Sequence, residues 1–155
     1  MRESVRKRIY WCFLVLSLIW MGVIFFFSAQ PAVESAELST GTVNWMISSF
    51  SEVSILQTLT EKGILEFLVR KLAHAAEYGV LGILLGCTIF FHKHWNFKWQ
   101  LKTVALCCFY ACSDELHQLF VPGRAGQIRD IVIDTIGACC AVLVLTLLLN
   151  RTLSA

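Results

Sequence analysis

The chain has 155 residues, of which 57% are hydrophobic and only 15% charged, and its net charge is +2. Mean hydropathy is +0.67, whereas soluble domains carry about 25% charged residues. An ordinary soluble domain is excluded, and so small a net charge gives no reason to expect a nucleic-acid partner.

The apolar residues are gathered into runs. A bilayer core of about 30 Å needs roughly 20 apolar residues in a helix, and four stretches meet that need: 9–28, 72–91, 101–121 and 131–149. The longest piece left over, 29–71, is too short to be expected as a separate domain. The expected fold is all-α: one membrane four-helix bundle spanning 1–155, with no soluble enzyme attached. The seven cysteines (Cys12, Cys87, Cys107, Cys108, Cys112, Cys139, Cys140) all fall inside these spans. None has zinc-ribbon or secreted-disulfide spacing, and they read as small hydrophobes in helix packing.

The first span follows a basic tail (Arg2, Arg6, Lys7, Arg8). Its apolar run is longer than the roughly 7–15 residues of a signal peptide, so it reads as a retained helix. Lys and Arg accumulate on the cytoplasmic side of a membrane protein. The tail, the 92–102 link with Lys93, Lys98 and Lys102, and Arg151 all fall on one side of a four-span chain. That places both termini on the cytoplasmic side of the membrane. Between the first two spans, 33–42 is small and polar, and 43–59 mixes Trp45, Ile47, Phe50, Val53, Leu56 and Leu59 with Ser, Asn and Glu. This pattern predicts an amphipathic segment on the outer leaflet, followed by a helix that begins near Thr60 and runs into the second span.

Charged residues within spans are costly and usually face a cavity or another helix. Here they gather at the outward end. The second span opens with Arg70, Lys71, His74, Glu77 and Tyr78. The third closes with Asp114, Glu115, His117 and Gln118. The link carries Arg124, and the fourth span opens with Asp130 and Asp134. At helical spacing, Lys71, His74 and Tyr78 form one stripe with Glu77 beside it. Asp114, His117 and Gln118 form another, and Asp130, Asp134, Gly137 and Ala141 a third, whose small residues permit close approach. Pro122-Gly123 predicts a tight turn that holds Arg124 near the carboxylates.

This constellation suits a lipid head group. Arg124 and Lys71 would hold phosphate, with Tyr78, Gln118 and Asp134 as further binding groups. His74, Asp114, Glu115 and Asp130 are the candidates for acid–base or nucleophilic chemistry. The acids could equally take a divalent cation, and His74-x-x-Glu77 would suit zinc, but no spacing is diagnostic, so metal and cofactor stay open. A structural alternative is that buried pairs fasten the helices, Arg124 with Asp114 or Asp130 and Lys71 with Glu115.

Three stretches resemble the signature of the VanZ-like family of small bacterial membrane proteins. They are Phe27-Ser28-Ala29-Gln30-Pro31 with Ser35 and Ser39; Arg70-Lys71-Leu72-Ala73-His74 with Glu77 and Tyr78; and Asp114-Glu115-Leu116-His117-Gln118 through Pro122-Gly123-Arg124 to Asp130, Asp134 and Gly137. The family's founding member is linked to resistance to the glycopeptide teicoplanin, so the resemblance implies a cell-envelope role. Three functions compete: binding or processing of a lipid-linked or phosphorylated envelope substrate; a non-enzymatic factor that binds antibiotic, lipid or a cell-wall partner; and an ion pathway, which the charge-free inner halves disfavour. Membrane lipid is the expected partner, with a lipid-linked cell-wall precursor or a glycopeptide as specific candidates. Four helices bury little surface, which leaves room for an oligomer.

Overall fold

The computed structural model describes residues 2–49, 63–93 and 95–154. Among the described residues the chain forms five helices and no strand: α1 (Glu3–Ser28), α2 (Ala32–Ser49), α3 (Ile64–His92), α4 (Phe97–Gln118) and α5 (Ile128–Ser154). Three of them, α1, α3 and the Ile128–Arg151 part of α5, are long and apolar enough to cross a membrane. The surface fits that reading, since Leu18, Phe26, Leu72, Phe109 and Leu147 point outward, as side chains facing lipid must. Helix α4 carries Lys98, Lys102, Asp114 and Glu115. It packs on α5, α3 and α1 without matching the other three in hydropathy.

Helix α1 runs antiparallel to α3. Arg6 Nε donates to Phe91 O at 2.9 Å, Ser17 Oγ lies 3.4 Å from Thr88 Oγ1, and Trp20 Nε1 donates to Glu77 O at 2.9 Å. The span read as a retained helix is thus stitched along its length to α3. Helices α3 and α5 run parallel and make the most extensive packing in the molecule. Small residues set their separation. A Cβ at Gly82 would sit 3.1 Å from Ala138 O, and one at Gly137 would collide with the backbone of Ala75. Close backbone approach replaces the hydrophobic drive that lipid removes. Ile24, Tyr78, Leu81, Cys107, Ala111 and Ala138 form the buried core at the meeting of α1, α3, α4 and α5.

The turns follow from local chemistry. Asn96 caps α4, its side-chain oxygen accepting from Trp99 N at 3.2 Å, as an N-cap residue does. Gly123 adopts φ 74°, a left-handed conformation that costs glycine little. That turn returns Arg124 toward the end of α1, and Pro122 O accepts from Ala32 N at 3.3 Å. The first and third signature stretches therefore touch.

The segment after α1 differs from expectation. The stretch 33–42, read as merely polar, lies within α2, which begins at Ala32. Pro31 precedes it, and Pro31 O accepts the first-turn bond from Ser35 N at 3.2 Å. Helix α2 packs on α3 with Ser39 and Val43 buried and Val33, Leu38 and Trp45 exposed. Most of the amphipathic segment expected at 43–59, and the start expected near Thr60, lie outside the described residues. Helix α3 is described from Ile64 onward.

Candidate functional site

The polar ends of α1, α3, α4 and α5 meet at one level, and α2 closes their side. A cavity of about 180 Å³ lies there. From α3 it receives Arg70, His74 and Glu77; from α4, Asp114; from the turn, Arg124; from the end of α1, Ser28 and Gln30; and from α2, Ser35, Ser39 and Thr42. Residues 70, 74 and 77 are spaced four and three apart, so they share one helix face. Ser35 and Ser39 are likewise one turn apart.

Arg124 is held by the end of α1. Its Nε donates to Gln30 O at 3.1 Å and an Nη to Phe27 O at 3.3 Å. Those carbonyls lie at the carboxyl end of α1, where the helix dipole favours a cation. Burial, and then the neighbouring Arg70 charge, push the pKa of the Arg124 guanidinium below its ordinary value, although arginine remains charged in proteins. Neither of the pairs considered for Arg124, with Asp114 or with Asp130, forms among the described residues. Its fork binds backbone instead, which fixes the cation at the cavity wall.

Behind His74 stands Asp134, fully buried, with one carboxylate oxygen 3.8 Å from His74 Nδ1. Neither oxygen of Asp134 has a hydrogen-bond partner among the described residues. His74 Nδ1 faces this acid, so Nε2 is the nitrogen left for the cavity. At 3.8 Å the contact is electrostatic and not a hydrogen bond, and His74 Nδ1 has no hydrogen-bond partner among the described residues. Asp114 is buried, accepts from Gln118 Nε2 at 3.4 Å, and has no hydrogen-bond partner for its second oxygen among the described residues.

The remaining candidates fall on the other side of α3. Lys71 Nζ reaches both oxygens of Asp130 at 2.6 Å, and the two side chains are only 12% and 9% exposed. Lysine 71 thus pairs with Asp130 rather than with Glu115. Glu115 instead accepts from Gln127 N at 2.7 Å, fastening the link to α4. Tyr78 is fully buried, with its ring 6.2 Å from that of Tyr110. None of Lys71, Tyr78, Glu115, Gln118, Asp130 or Asp134 lines the cavity, whereas His74, Asp114 and Arg124 do. His117 packs against Phe25 with ring centroids 4.4 Å apart and stays outside it.

Arg70 and the α2 hydroxyls carry no assigned role in the sequence reading, and Glu77 enters it only through the His74-x-x-Glu77 spacing, although signals for them existed. Arg70, His74 and Glu77 are as regular a stripe as Lys71, His74 and Tyr78. Ser35 and Ser39 were flagged by resemblance alone. Among the described residues no group of three or more His, Cys, Asp or Glu side chains has metal-holding geometry.

With this geometry in view, the comparison with known families is informative. The VanZ/LLP1 family model matches residues 13–149, from within α1 to near the end of α5. The chain belongs to the VanZ/LLP1 family. The match takes in every residue of the cavity and of the Lys71–Asp130 pair. No curated protein and no solved structure matches this VanZ/LLP1 member.

Proposed function

We propose that the cavity is an outer-leaflet site for the phosphate-bearing head group of a lipid or lipid-linked envelope substrate. In this reading α4 also crosses the bilayer, the protein lies in the bacterial cell membrane, and both termini are cytoplasmic. The observation that carries the proposal is the convergence of Arg70, Arg124 and His74 on one small cavity. Arginine donors match phosphate oxygens in number and direction. Serine hydroxyls from α1 and α2 supply neutral donors, and Glu77 and Asp114 supply acceptors for head-group hydroxyls or amines. His74, with the Asp134 carboxylate beside it, is the group equipped to move a proton to or from a bound phosphate or its leaving oxygen.

Size separates this from the antibiotic-binding alternative. A cavity of about 180 Å³ is below the roughly 300–1,000 Å³ of drug-sized sites. A head group fits where a glycopeptide does not. Any contribution to glycopeptide resistance then runs through an envelope lipid rather than through capture of the drug.

Leu38 lines the cavity from α2 and is largely exposed. With Leu38 replaced by p-benzoylphenylalanine, irradiation in vesicles of phosphatidylcholine and phosphatidylglycerol should enrich anionic-lipid adducts over their bulk share. Arg70→Gln with Arg124→Lys should abolish the enrichment while the protein stays folded. Enrichment that survives both changes would refute the proposal.

A further inference from the structure

A second polar recess lies at the opposite end of the bundle, between the start of α1 and the end of α3. It measures about 460 Å³ and is lined by Glu3, Arg6, Lys7, Tyr10, Phe91 and His92, with Trp11 at its edge. We infer that this recess is a separate binding site for an anionic phospholipid, whose phosphate sits between Arg6 and Lys7.

Three features carry the inference. Arg6 is held in place: its Nε donates to Phe91 O at 2.9 Å, which leaves its terminal nitrogens for a ligand. The charge balance favours an anion, since Arg6 and Lys7 line the recess against Glu3 alone, with Arg2, Arg8 and Lys93 nearby in the chain. Basic recesses of this kind between membrane helices suit lipid phosphates. The walls are aromatic and ordered by ring contacts: Tyr10 packs against Trp11 at 5.2 Å and His92 at 4.9 Å, and Phe13 stacks on Phe91 at 5.8 Å. Tyrosine and tryptophan favour the level of the head groups.

The ligand is a lipid rather than a free phosphate because an apolar track leads away from the recess. Trp11, Val15 and Leu18 are spaced four and three apart along α1, and all are exposed. They continue along a helix apolar enough to cross a membrane, where an acyl chain would lie. This site does not depend on the reading of the outer cavity, with which it shares no residue.

The test places p-benzoylphenylalanine at Trp11 in the full-length protein, in vesicles of phosphatidylcholine doped with phosphatidylglycerol. Mass spectrometry then reads the ratio of the two lipids among the adducts. Phosphatidylglycerol should be enriched over its bulk share. The enrichment should fall about fivefold for each cation removed in Arg6→Gln and Lys7→Gln, and stay unchanged in Arg124→Lys. Lys7 is exposed, so its variant keeps the test valid even if Arg6→Gln perturbs the α1–α3 contact. A wild-type adduct ratio equal to the bulk ratio, or enrichment that survives Lys7→Gln, would overturn the inference. Loss of enrichment on adding soluble glycerol phosphate would overturn the assignment to a lipid.

Discussion

The two faces of α3 at its polar end make opposite use of similar residues. On the face toward α5, Lys71 is neutralised by Asp130 at 2.6 Å and Tyr78 is sealed in the core. On the face toward α1 and α2, Arg70, His74 and Glu77 open onto a cavity. One face is closed because Gly82, Ala138 and Gly137 bring α3 and α5 together with no room for a ligand. The other is open because α2 covers it mostly with serine and threonine, Ser35, Ser39 and Thr42, beside the single larger side chain of Leu38. The charged residues at this end of α3 thus divide between a latch and an open cavity, and the small-residue contact decides which is which.

The largest expected effect comes from breaking the latch. Lys71→Met leaves buried Asp130 with only the long contact to the exposed Arg129, whose Nε lies 3.9 Å away, which should cost about 3 kcal/mol and lower the melting temperature in detergent. Lys71→Met combined with Asp130→Leu should recover most of that loss and leave lipid crosslinking at position 38 intact. Failure of the double variant to bind would move Lys71 from latch to site. Next comes the contact itself. Gly137→Val drives a side chain into the Ala75 backbone and should cost about 1–3 kcal/mol, with binding lost as the two helices separate.

On the open face the order of effects reverses. Arg124→Lys forfeits one of two bonds to the α1 carbonyls, a stability loss of about 1 kcal/mol, yet it should remove most head-group binding. The smallest effect on stability is expected from His74→Asn, within about 1 kcal/mol because the latch stays intact, with any proton-transfer activity abolished. A large drop in melting temperature for His74→Asn would mean that the His74–Asp134 pair is itself a fastening.

Much of the fold was legible in the sequence because charge-free runs long enough for a bilayer leave few alternatives. The stripe Asp130, Asp134, Gly137 and Ala141 gave the α5 face that meets α3, since small residues in register with acids have few other uses in a membrane. What could not be read was the division of α3. His74 belongs to two equally regular stripes, with Lys71 and Tyr78 or with Arg70 and Glu77, and only the neighbouring helices distinguish them. Arg124 was correctly brought toward the polar end by Pro122-Gly123. Its backbone partners were not foreseeable, because the carbonyls of Phe27 and Gln30 at the end of α1 carry no side-chain signature. The 32–42 part of α2 was missed because Ser, Thr and Glu there resemble a loop when read without the Ser35–Ser39 spacing, whereas 43–49 is helical as its amphipathic pattern predicts.

The central claim is that a phosphate sits against His74 in the open cavity. Solid-state NMR in proteoliposomes can measure the coupling between ¹⁵N-labelled histidine Nε2 and lipid ³¹P. A short-range His74–phosphorus contact that disappears in Arg124→Lys is the predicted result. A His74 signal untouched by phosphorus in the wild-type protein, under conditions where anionic lipid is bound, would contradict it.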